Sequence, residues 1–329
     1  MKKVLLIAGL QEEYYFKPFL VECEKVGISV YLFDPDRFPI EDKLNIYLDS
    51  TGHLNGFIET LHFVGDNYSK VRLPICDVDV AWYLRENSPT NVENESLEIR
   101  FAKKESEKAV NSLFSILECK WINRPKTLQV VGTNKLYQQK LAAQCGLTVP
   151  STLVSNDPVE VIAKATTWGG LLAKPMGYIT LSKEKFYTIY SECFSLTELL
   201  ESEIAIRNCP LFAQEYINKR FEYRVMVIGN KVLACQIDSQ ASELTKIDWR
   251  HYDFEKVAHV KYTLPVEICD KLQAFMKAIN LTYGAIDMIE TPEGDYVFLE
   301  INPSGQWEWI SYYAGLPIPE AVAEMLASA

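Results

Sequence analysis

Two carboxylates and one amide near the C-terminal end of the chain have the types and spacing of a metal site. Glu300 and Asn302 are two residues apart in an apolar strand, so both point to the same face. A turn over residues 291–294 would pair this strand antiparallel with the preceding one and bring Asp287 close to Glu300. Such oxygen ligands suit Mg²⁺, which bridges to substrate phosphates. A solvated sheet face is the alternative, but apolar neighbours bury both strands, and a buried carboxylate needs a cation.

Two lysines are candidates for binding the phosphates that such a metal would bridge. Lys174 ends an apolar strand and precedes Pro-Met-Gly, a turn that could close over a ligand. Lys135 opens a helix directly after Thr133 and Asn134. Either lysine alone could be an exposed side chain without a ligand, so the prediction depends on both. The sequence has no GxxxxGK[ST] loop, so a bound ATP would be held by another kind of site.

The segment between the lysines and the acids could hold the nucleoside part of ATP. A predicted strand runs into a loop here, and its backbone groups could meet an adenine edge; the residues concerned are Gln214, Glu215, Tyr216 and Ile217. Glu222 could reach ribose hydroxyls, and Arg224 could reach a phosphate. Taken alone, the segment is equally well described as a strand with charged ends.

Strands and helices that alternate along the chain must position these residues. After residue 130, strands are predicted at 171–174, 211–217, 223–228, 231–237, 283–289 and 296–301, and helices at 134–146, 266–280 and 320–327. Gly229 and Asn230 predict a hairpin between two of the strands. The pattern predicts an α/β, or α+β, fold.

The first 120 residues are predicted to form a separate small α/β domain. Strands are expected at 3–9, 28–33 and 78–84, helices at 16–26 and 100–117, and irregular structure between 37 and 77. Gly9 lacks the further glycines of a dinucleotide-binding turn. Residues 121–125, Trp-Ile-Asn-Arg-Pro, are expected to cross between domains. The predicted domains are therefore 1–120, 121–212 and 213–329.

Composition excludes several classes of function. The net charge is −11, from 33 Lys and Arg against 44 Asp and Glu, so no overall basic field is available for nucleic acid or an anionic membrane. The longest apolar run at the start of the chain is far too short for a membrane span, and the cytoplasm is the expected compartment. The 8 cysteines contain no CxxC pair and are expected to be reduced.

In this order along the chain, the residues resemble the ATP-grasp superfamily from about residue 121 onward. The matching features are the two lysines, the Gln-Glu-Tyr-Ile hinge, the Glu222-x-Arg224 step and the triad of Asp287, Glu300 and Asn302. Three shorter motifs, Phe-Asp-Pro-Asp-Arg-Phe-Pro at 33–39, Asp-Trp-Arg at 248–250 and Glu-Ile-Asn-Pro-Ser-Gly-Gln-Trp at 300–307, are similar to those of the microviridin-type peptide macrocyclases, or graspetide synthetases. That resemblance spans the whole chain.

The resemblance implies an ATP-grasp fold behind an N-terminal pre-ATP-grasp domain, with ATP and Mg²⁺, as two ions, as cofactors. It implies a ligase that phosphorylates a side-chain carboxylate of a ribosomal precursor peptide, with leader and core, and closes a ring by ester or amide formation. Arg224 and Arg250 are then the expected catalytic cations, Arg250 on the transferring phosphate or on the carboxylate. A surface arginine is the alternative for Arg250. A homodimer is also expected.

Some features depart from the pattern or leave alternatives open. The loop after Lys174 contains only Gly177, so Tyr178 and Thr180 are candidates for covering the phosphates. Trp307 and Trp309 are expected to pack under the last helix, with a peptide-binding platform as the alternative. Two other functions stay open: an ATP-grasp ligase that adds a free amino acid to a small molecule or a protein C-terminus, and an inactive nucleotide-binding module. Replacing Asp287, Glu300 or Asn302 is expected to abolish turnover without disturbing the fold.

Overall fold

The structure is a computed structural model that describes residues 1–65, 67–84, 96–177 and 189–329. Its contacts divide the chain into two compact units. The first contains Met1–Leu128, Leu281–Tyr283 and Pro317–Ala329, and the second contains Gln129–Asn280 and Gly284–Leu316. The division into three domains at 120 and 212 stays a prediction. None of the helices in the described residues has the length and apolar composition needed to cross a membrane.

The first unit is built on one mixed sheet covered by helices. Its strands are β1 (Lys2–Ile7), β2 (Ile28–Phe33), β3 (Leu44–Leu48), β4 (Leu54–Val64), β5 (Asn67–Pro74), β6 (Val80–Tyr83) and β7 (Lys120–Ile122). Its helices are α1 (Glu13–Lys25), α2 (Leu97–Ile116) and, from the end of the chain, α10 (Ile318–Ser328). The strand order is β3-β4-β2-β1-β6-β7, with β5 paired to β4, and β1 pairs in parallel with β2 and β6. The predicted βαβ unit at the start of the chain is confirmed.

Two expectations for this unit were wrong. Residues 37–77 are not irregular, because β3, β4 and β5 form an antiparallel meander there. β3 has no fully buried residue, β5 has one, and the buried residues of β4 lie in its middle and second half, so none of the three strands shows a clear alternation of buried and exposed positions. Residues 121–125 are not a simple crossing, because Trp121 and Ile122 are buried in β7, parallel to β6. Pro125 opens the next helix, α3 (Pro125–Gly132), where its missing N–H costs nothing.

The second unit contains two antiparallel sheets and several short helices. Its remaining strands are β8 (Thr152–Ser155), β9 (Leu171–Lys174), β10 (Glu192–Phe194), β11 (Leu211–Gln214), β12 (Phe221–Ile228), β13 (Lys231–Ile237), β14 (His259–Tyr262), β15 (Tyr283–Glu290) and β16 (Tyr296–Asn302). Its remaining helices are α4 (Lys135–Gln144), α5 (Pro158–Trp168), α6 (Leu196–Glu201), α7 (Glu203–Asn208), α8 (Val266–Ala278) and α9 (Glu308–Ala314). One sheet has the order β10-β9-β11-β8, and the other has the order β14-β13-β12-β15-β16.

Short-range signals fix the elements that carry the candidate residues. Asn134 caps α4 by accepting a 3.0 Å hydrogen bond from the Tyr137 N–H, which makes Lys135 the first helical residue. Gly229 adopts a positive φ of 57° in the hairpin between β12 and β13, as its sequence predicted. A 3.0 Å hydrogen bond from the Gly294 N–H to the Thr291 carbonyl closes the turn between β15 and β16.

Candidate functional site

A cleft that is open to solvent gathers most of the predicted residues. Both sheets of the second unit contribute to its walls. Ten predicted residues line it: Lys135, Lys174, Gln214, Glu215, Tyr216, Ile217, Glu222, Arg250, Asp287 and Glu300. Apolar side chains also face the cleft, among them Leu172, Ile289 and Leu299, and could hold a planar base. Polar residues from segments far apart in sequence therefore converge on one concavity.

The two acids lie opposite each other in the sheet. Asp287 on β15 is the cross-strand partner of Glu300 on β16, as the turn at 291–294 predicted. Burial raises the pKa of Asp287, and the negative charge of Glu300 adds to that rise although Arg224 opposes it. Burial would also raise the pKa of Glu300, but the positive charges of Lys135 and Lys174 outweigh it and hold the pKa below its ordinary value. A raised carboxylate pKa indicates that the pair would gain from more positive charge.

Lys135 is brought to Glu300 by a side chain that sequence reasoning missed. Buried Gln138, one turn further along α4, donates to the Ile301 carbonyl and accepts from the Ile301 N–H, each at 3.0 Å. These two bonds fix α4 against β16. Lys135 lies on the same helix face because residues i and i+3 are neighbours, and its Nζ is 2.8 Å from Glu300 Oε2.

Lys174 is a cation whose amine meets no anion at hydrogen-bond distance among the described residues. It lies at the end of β9 in the cleft wall. Burial, with a smaller contribution from the nearby charge of Lys135, lowers the pKa of Lys174 to about 8, although Glu300 opposes the shift. A desolvated ammonium of this kind favours an anionic ligand such as a phosphate. Tyr178 and Thr180, the candidate phosphate cover, lie outside the described residues.

The predicted hinge divides into an anchored half and an open half. Strand β11 ends at Gln214, earlier than predicted, and the Gln214 amide donates to the Thr152 hydroxyl at 2.9 Å. The Glu215 carboxylate accepts from the Ser151 N–H at 2.9 Å, which ties the chain to the start of β8. Tyr216 and Ile217 follow in the cleft wall. The side chains of Gln214 and Glu215 therefore hold the loop, together with the Glu215 N–H, which donates to the Ser151 carbonyl at 3.2 Å, and Tyr216 and Ile217 are the hinge residues beyond these anchors.

Glu222 forms a buried ion pair with a lysine that the sequence did not single out. Lys219 Nζ is 2.7 Å from Glu222 Oε1 and 2.9 Å from the Ile247 carbonyl, and both side chains are 6% exposed. Burial raises the pKa of Glu222, while Lys219 opposes the rise. Lys219 sits in the polar run Asn-Lys-Arg before β12, where nothing distinguishes it from a solvent-exposed residue.

Arg224 does not line the cleft but supports one of its acids from behind. Its guanidinium donates to both oxygens of Asp287, at 3.0 and 3.1 Å, and to the Gln306 carbonyl at 3.2 Å. Asn302 also lies outside the cleft walls: its Oδ1 accepts from the Ser304 N–H at 3.0 Å. The predicted metal triad is thus two facing acids in the cleft and an amide that shapes the following turn.

Arg250 reaches the cleft from a short helical turn that Asp248 caps. Asp248 is buried, and its Oδ1 accepts from the Arg250 N–H at 3.1 Å and from Nε at 2.8 Å. Its Oδ2 accepts from Arg250 and from the Ser191 N–H at 3.2 Å. The Asp248 carboxylate raises the pKa of Arg250, so the guanidinium stays charged. Arg250 is consequently a fixed cation in the cleft wall rather than a free surface side chain.

The donor set fits Mg²⁺ and phosphates together. The described residues contain no ready cluster of three or more His, Cys, Asp or Glu side chains that could hold a metal on its own. Mg²⁺ commonly uses one or two carboxylates and completes its shell with water and substrate phosphates, which two facing acids beside Lys174 would allow. Asp287 and Glu300 would hold the ion, and Lys135 and Lys174 would face the phosphates.

Gly305 allows the close approach of Arg224, and we expect Gly305→Ala to disturb the site. An added Cβ would lie 2.3 Å from the Ala285 Cβ and 2.6 Å from an Arg224 nitrogen, so the guanidinium must move. Overpacking of this kind costs about 1–3 kcal/mol of the free energy of unfolding. Thermal unfolding should show a lower Tm, and ATP titration should show a weaker affinity. Gly132→Ala is the matched control, because its Cβ would meet only a Pro303 carbon at 3.8 Å; equal behaviour of the two variants would contradict the prediction.

Solved structures resemble this chain over its full length. A RiPP-associated ATP-grasp ligase from Chryseobacterium gregarium, in complex with ADP and a leader and core peptide, is 24% identical with a TM-score of 0.87, covering 100% of this chain and 97% of that one. The macrocyclase MdnC from Microcystis aeruginosa, bound with the precursor peptide MdnA, is 27% identical with a TM-score of 0.82, covering 99% and 100%. The macrocyclase MdnB from the same organism is 26% identical with a TM-score of 0.77, covering 99% of each chain.

No protein-family profile and no curated protein matches the sequence. The similarity to known proteins therefore rests on the solved structures. They show that the chain has the ATP-grasp ligase fold, with the α/β architecture predicted from its sequence, and that its neighbours in fold are RiPP-associated ligases and macrocyclases. The resemblance stated from the sequence motifs is confirmed.

Proposed function

We propose, from the ATP-grasp fold that this chain shares with peptide macrocyclases, that it is an ATP-dependent ligase that closes rings in a ribosomally made precursor peptide. The observation that carries the proposal is the cleft in which Lys135, Lys174 and Arg250 surround the facing acids Asp287 and Glu300. Fixed cations around a pair of metal-binding acids suit phosphoryl transfer, since the transferred group carries charge that must be held.

Each predicted residue has a part in this proposal. Lys135 and Lys174 hold the ATP phosphates, and the hinge from Gln214 to Ile217, with Glu222, holds the nucleoside. Asp287, Glu300 and Asn302 are the proposed ligands of magnesium, which would bind as two ions. The metal would neutralise negative charge on the phosphates. Arg224 keeps the Asp287 carboxylate in position through its two hydrogen bonds at 3.0 and 3.1 Å.

The proposed reaction has two steps. Arg250 holds a side-chain carboxylate of the peptide, an oxygen of which attacks the γ-phosphorus; the bond to the β-phosphate oxygen breaks, and ADP leaves. A Ser or Thr hydroxyl or a Lys amine of the same peptide then attacks the carbonyl carbon of this acyl phosphate, loses its proton, and inorganic phosphate leaves with the carboxylate oxygen. Because water hydrolyses an acyl phosphate, the peptide must be docked before the first step.

The proposal includes the partners and the compartment. The peptide partner has a leader and a core, as in the complexes of the Chryseobacterium and Microcystis proteins. A homodimer is part of the proposal. The cytoplasm is the proposed compartment, because it supplies ATP and keeps thiols reduced, and all eight cysteines in the described residues are free.

Mass spectrometry of the peptide together with nucleotide analysis tests this function. With ATP, Mg²⁺ and its precursor peptide, the enzyme is expected to lower the peptide mass by one water for each ring and to release ADP. Each condensation removes water because phosphate carries off the carboxylate oxygen. Release of AMP would contradict phosphoryl transfer. A gain in mass with a free amino acid would favour the alternative ligase, and nucleotide binding without any product would favour an inactive binding module.

A further inference from the structure

An exposed group of aromatic rings lies in the second unit and is not explained by nucleotide binding. We call it the aromatic surface; its members are Trp249, Tyr252, Phe254, His259, Trp309 and Tyr313. The rings form one continuous network of contacts with centroids 4.7 to 5.7 Å apart. They come from three segments: the short turn and loop at 249–254, strand β14 and helix α9. Such a network is larger than the isolated apolar side chains that occur on most surfaces.

Much of this surface faces solvent. Tyr252 is 48% exposed, Phe254 is 39% exposed and Tyr313 is 46% exposed. The Tyr252 and Phe254 rings stack at 17°, and the Phe254 and Tyr313 rings stack at 11°, so the three form a row of nearly parallel faces. Burial lowers the pKa of His259, which favours the uncharged form of this ring at pH 7. Trp307, by contrast, is buried.

The aromatic surface begins at the wall of the cleft. Trp249 lines the cleft next to Arg250, and its ring contacts Tyr252 at 5.6 Å and Trp309 at 4.9 Å. An extended peptide advances about 3.3 Å per residue. If Arg250 holds a carboxylate of the peptide, residues within about four positions of it lie over these rings.

We propose that the aromatic surface binds the segment of the substrate peptide that flanks its reacting acidic residue, and that it selects apolar or aromatic side chains there. This inference rests on the proposed function and adds a determinant of peptide choice. The occupant fits both parts of the site: one negative charge for Arg250 and uncharged side chains for uncharged rings. A second copy of the chain on this surface would stand beside the opening that the peptide needs.

Two synthetic 12-residue peptides test the proposal without any turnover. Both carry a fluorescent label and a single central glutamate, which is flanked on each side by Phe in one peptide and by Ser in the other. Fluorescence anisotropy in the presence of ADP and Mg²⁺ gives their affinities. We expect the Phe peptide to bind the wild-type chain about tenfold more tightly, as aromatic contacts at an interface allow.

The double variant Phe254→Ala, Tyr313→Ala is expected to remove this preference while leaving ADP affinity unchanged. Tyr47→Ala is the matched control, since Tyr47 is 61% exposed on β3 and belongs to the other unit. The single variant Tyr252→Ala, at an exposed position, keeps the test valid if the double variant unfolds, and should weaken the preference. Equal affinity of the two peptides for wild type, or a preference kept by the folded variants, would overturn the proposal. So would a change in oligomeric state with the preference intact, which would mean that a second copy covers the rings.

Failure here differs from failure of the proposed function. Loss of the peptide preference with intact ring formation on the natural precursor would overturn only the role of the aromatic surface. Absence of ring formation on that precursor, with the preference present, would overturn the ligase reaction and leave a peptide-binding surface.

Discussion

Glu300→Gln is expected to lower ring formation about 1,000-fold while the protein stays folded. The substitution removes the negative charge that a magnesium ion and Lys135 share. It keeps an oxygen that can accept the 2.8 Å hydrogen bond from Lys135, and the side chain is 29% exposed, so little strain follows. The effect should therefore appear in kcat and not in thermal unfolding. Raising the Mg²⁺ concentration should restore only a small part of the rate.

Glu293→Gln is the matched control for this prediction. It makes the same change of charge in the exposed turn of the same hairpin, between β15 and β16, and should keep the wild-type rate. A Glu300→Gln enzyme that works at near wild-type rate would contradict the assignment of the acid. Asp287→Asn is a poorer test than the sequence suggested, because buried Arg224 would lose its charged partner at a cost of about 3 kcal/mol in the free energy of unfolding.

Lys174→Met is expected to weaken ATP binding about 10- to 100-fold, because it removes a desolvated cation that faces the phosphates. The wild-type affinity should also depend on pH in a defined direction. The pKa of Lys174 is about 8 without ligand, so the amine carries its charge at pH 7 and loses it as the pH rises toward 9. Phosphate binding stabilises the charged form. ATP affinity should accordingly fall about tenfold between pH 7 and pH 9.

Isothermal titration calorimetry with ATP and Mg²⁺ at pH 7, 8 and 9 checks both parts. The Lys174→Met variant should bind weakly at every pH and show a much smaller dependence. Lys164→Met, on the exposed face of α5, makes the same change of charge and should behave as wild type. An affinity for ATP that is unchanged in Lys174→Met, or that rises with pH in the wild type, would remove Lys174 from the phosphate site.

The sequence by itself determined the chemistry that the chain carries and the local elements that hold it. Glu300 and Asn302 share a face because side chains alternate along a strand, and the turn at 291–294 was enough to bring Asp287 opposite Glu300. The cap at Asn134 and the hairpin at Gly229 could also be predicted, because each depends on residues only a few positions apart. The order of these motifs was sufficient for the ATP-grasp resemblance.

Only the tertiary structure decided which groups meet and which are already engaged. Gln138 on α4 fixes Lys135 on Glu300 of β16, and these contacts join elements far apart in the sequence. Lys219 and Glu222 are near neighbours in the sequence, as are Asp248 and Arg250, but the Ile247 carbonyl and the Ser191 N–H that also hold these pairs come from other parts of the chain. The weakly alternating strands β3 to β5 likewise gain their structure by pairing with each other and with β2. Burial is set by the packing of the whole unit, and burial gives Lys174 its low pKa and Asp287 its raised one. A pattern along the chain specifies a residue type and a face, whereas a charge balance depends on every group that packs around it.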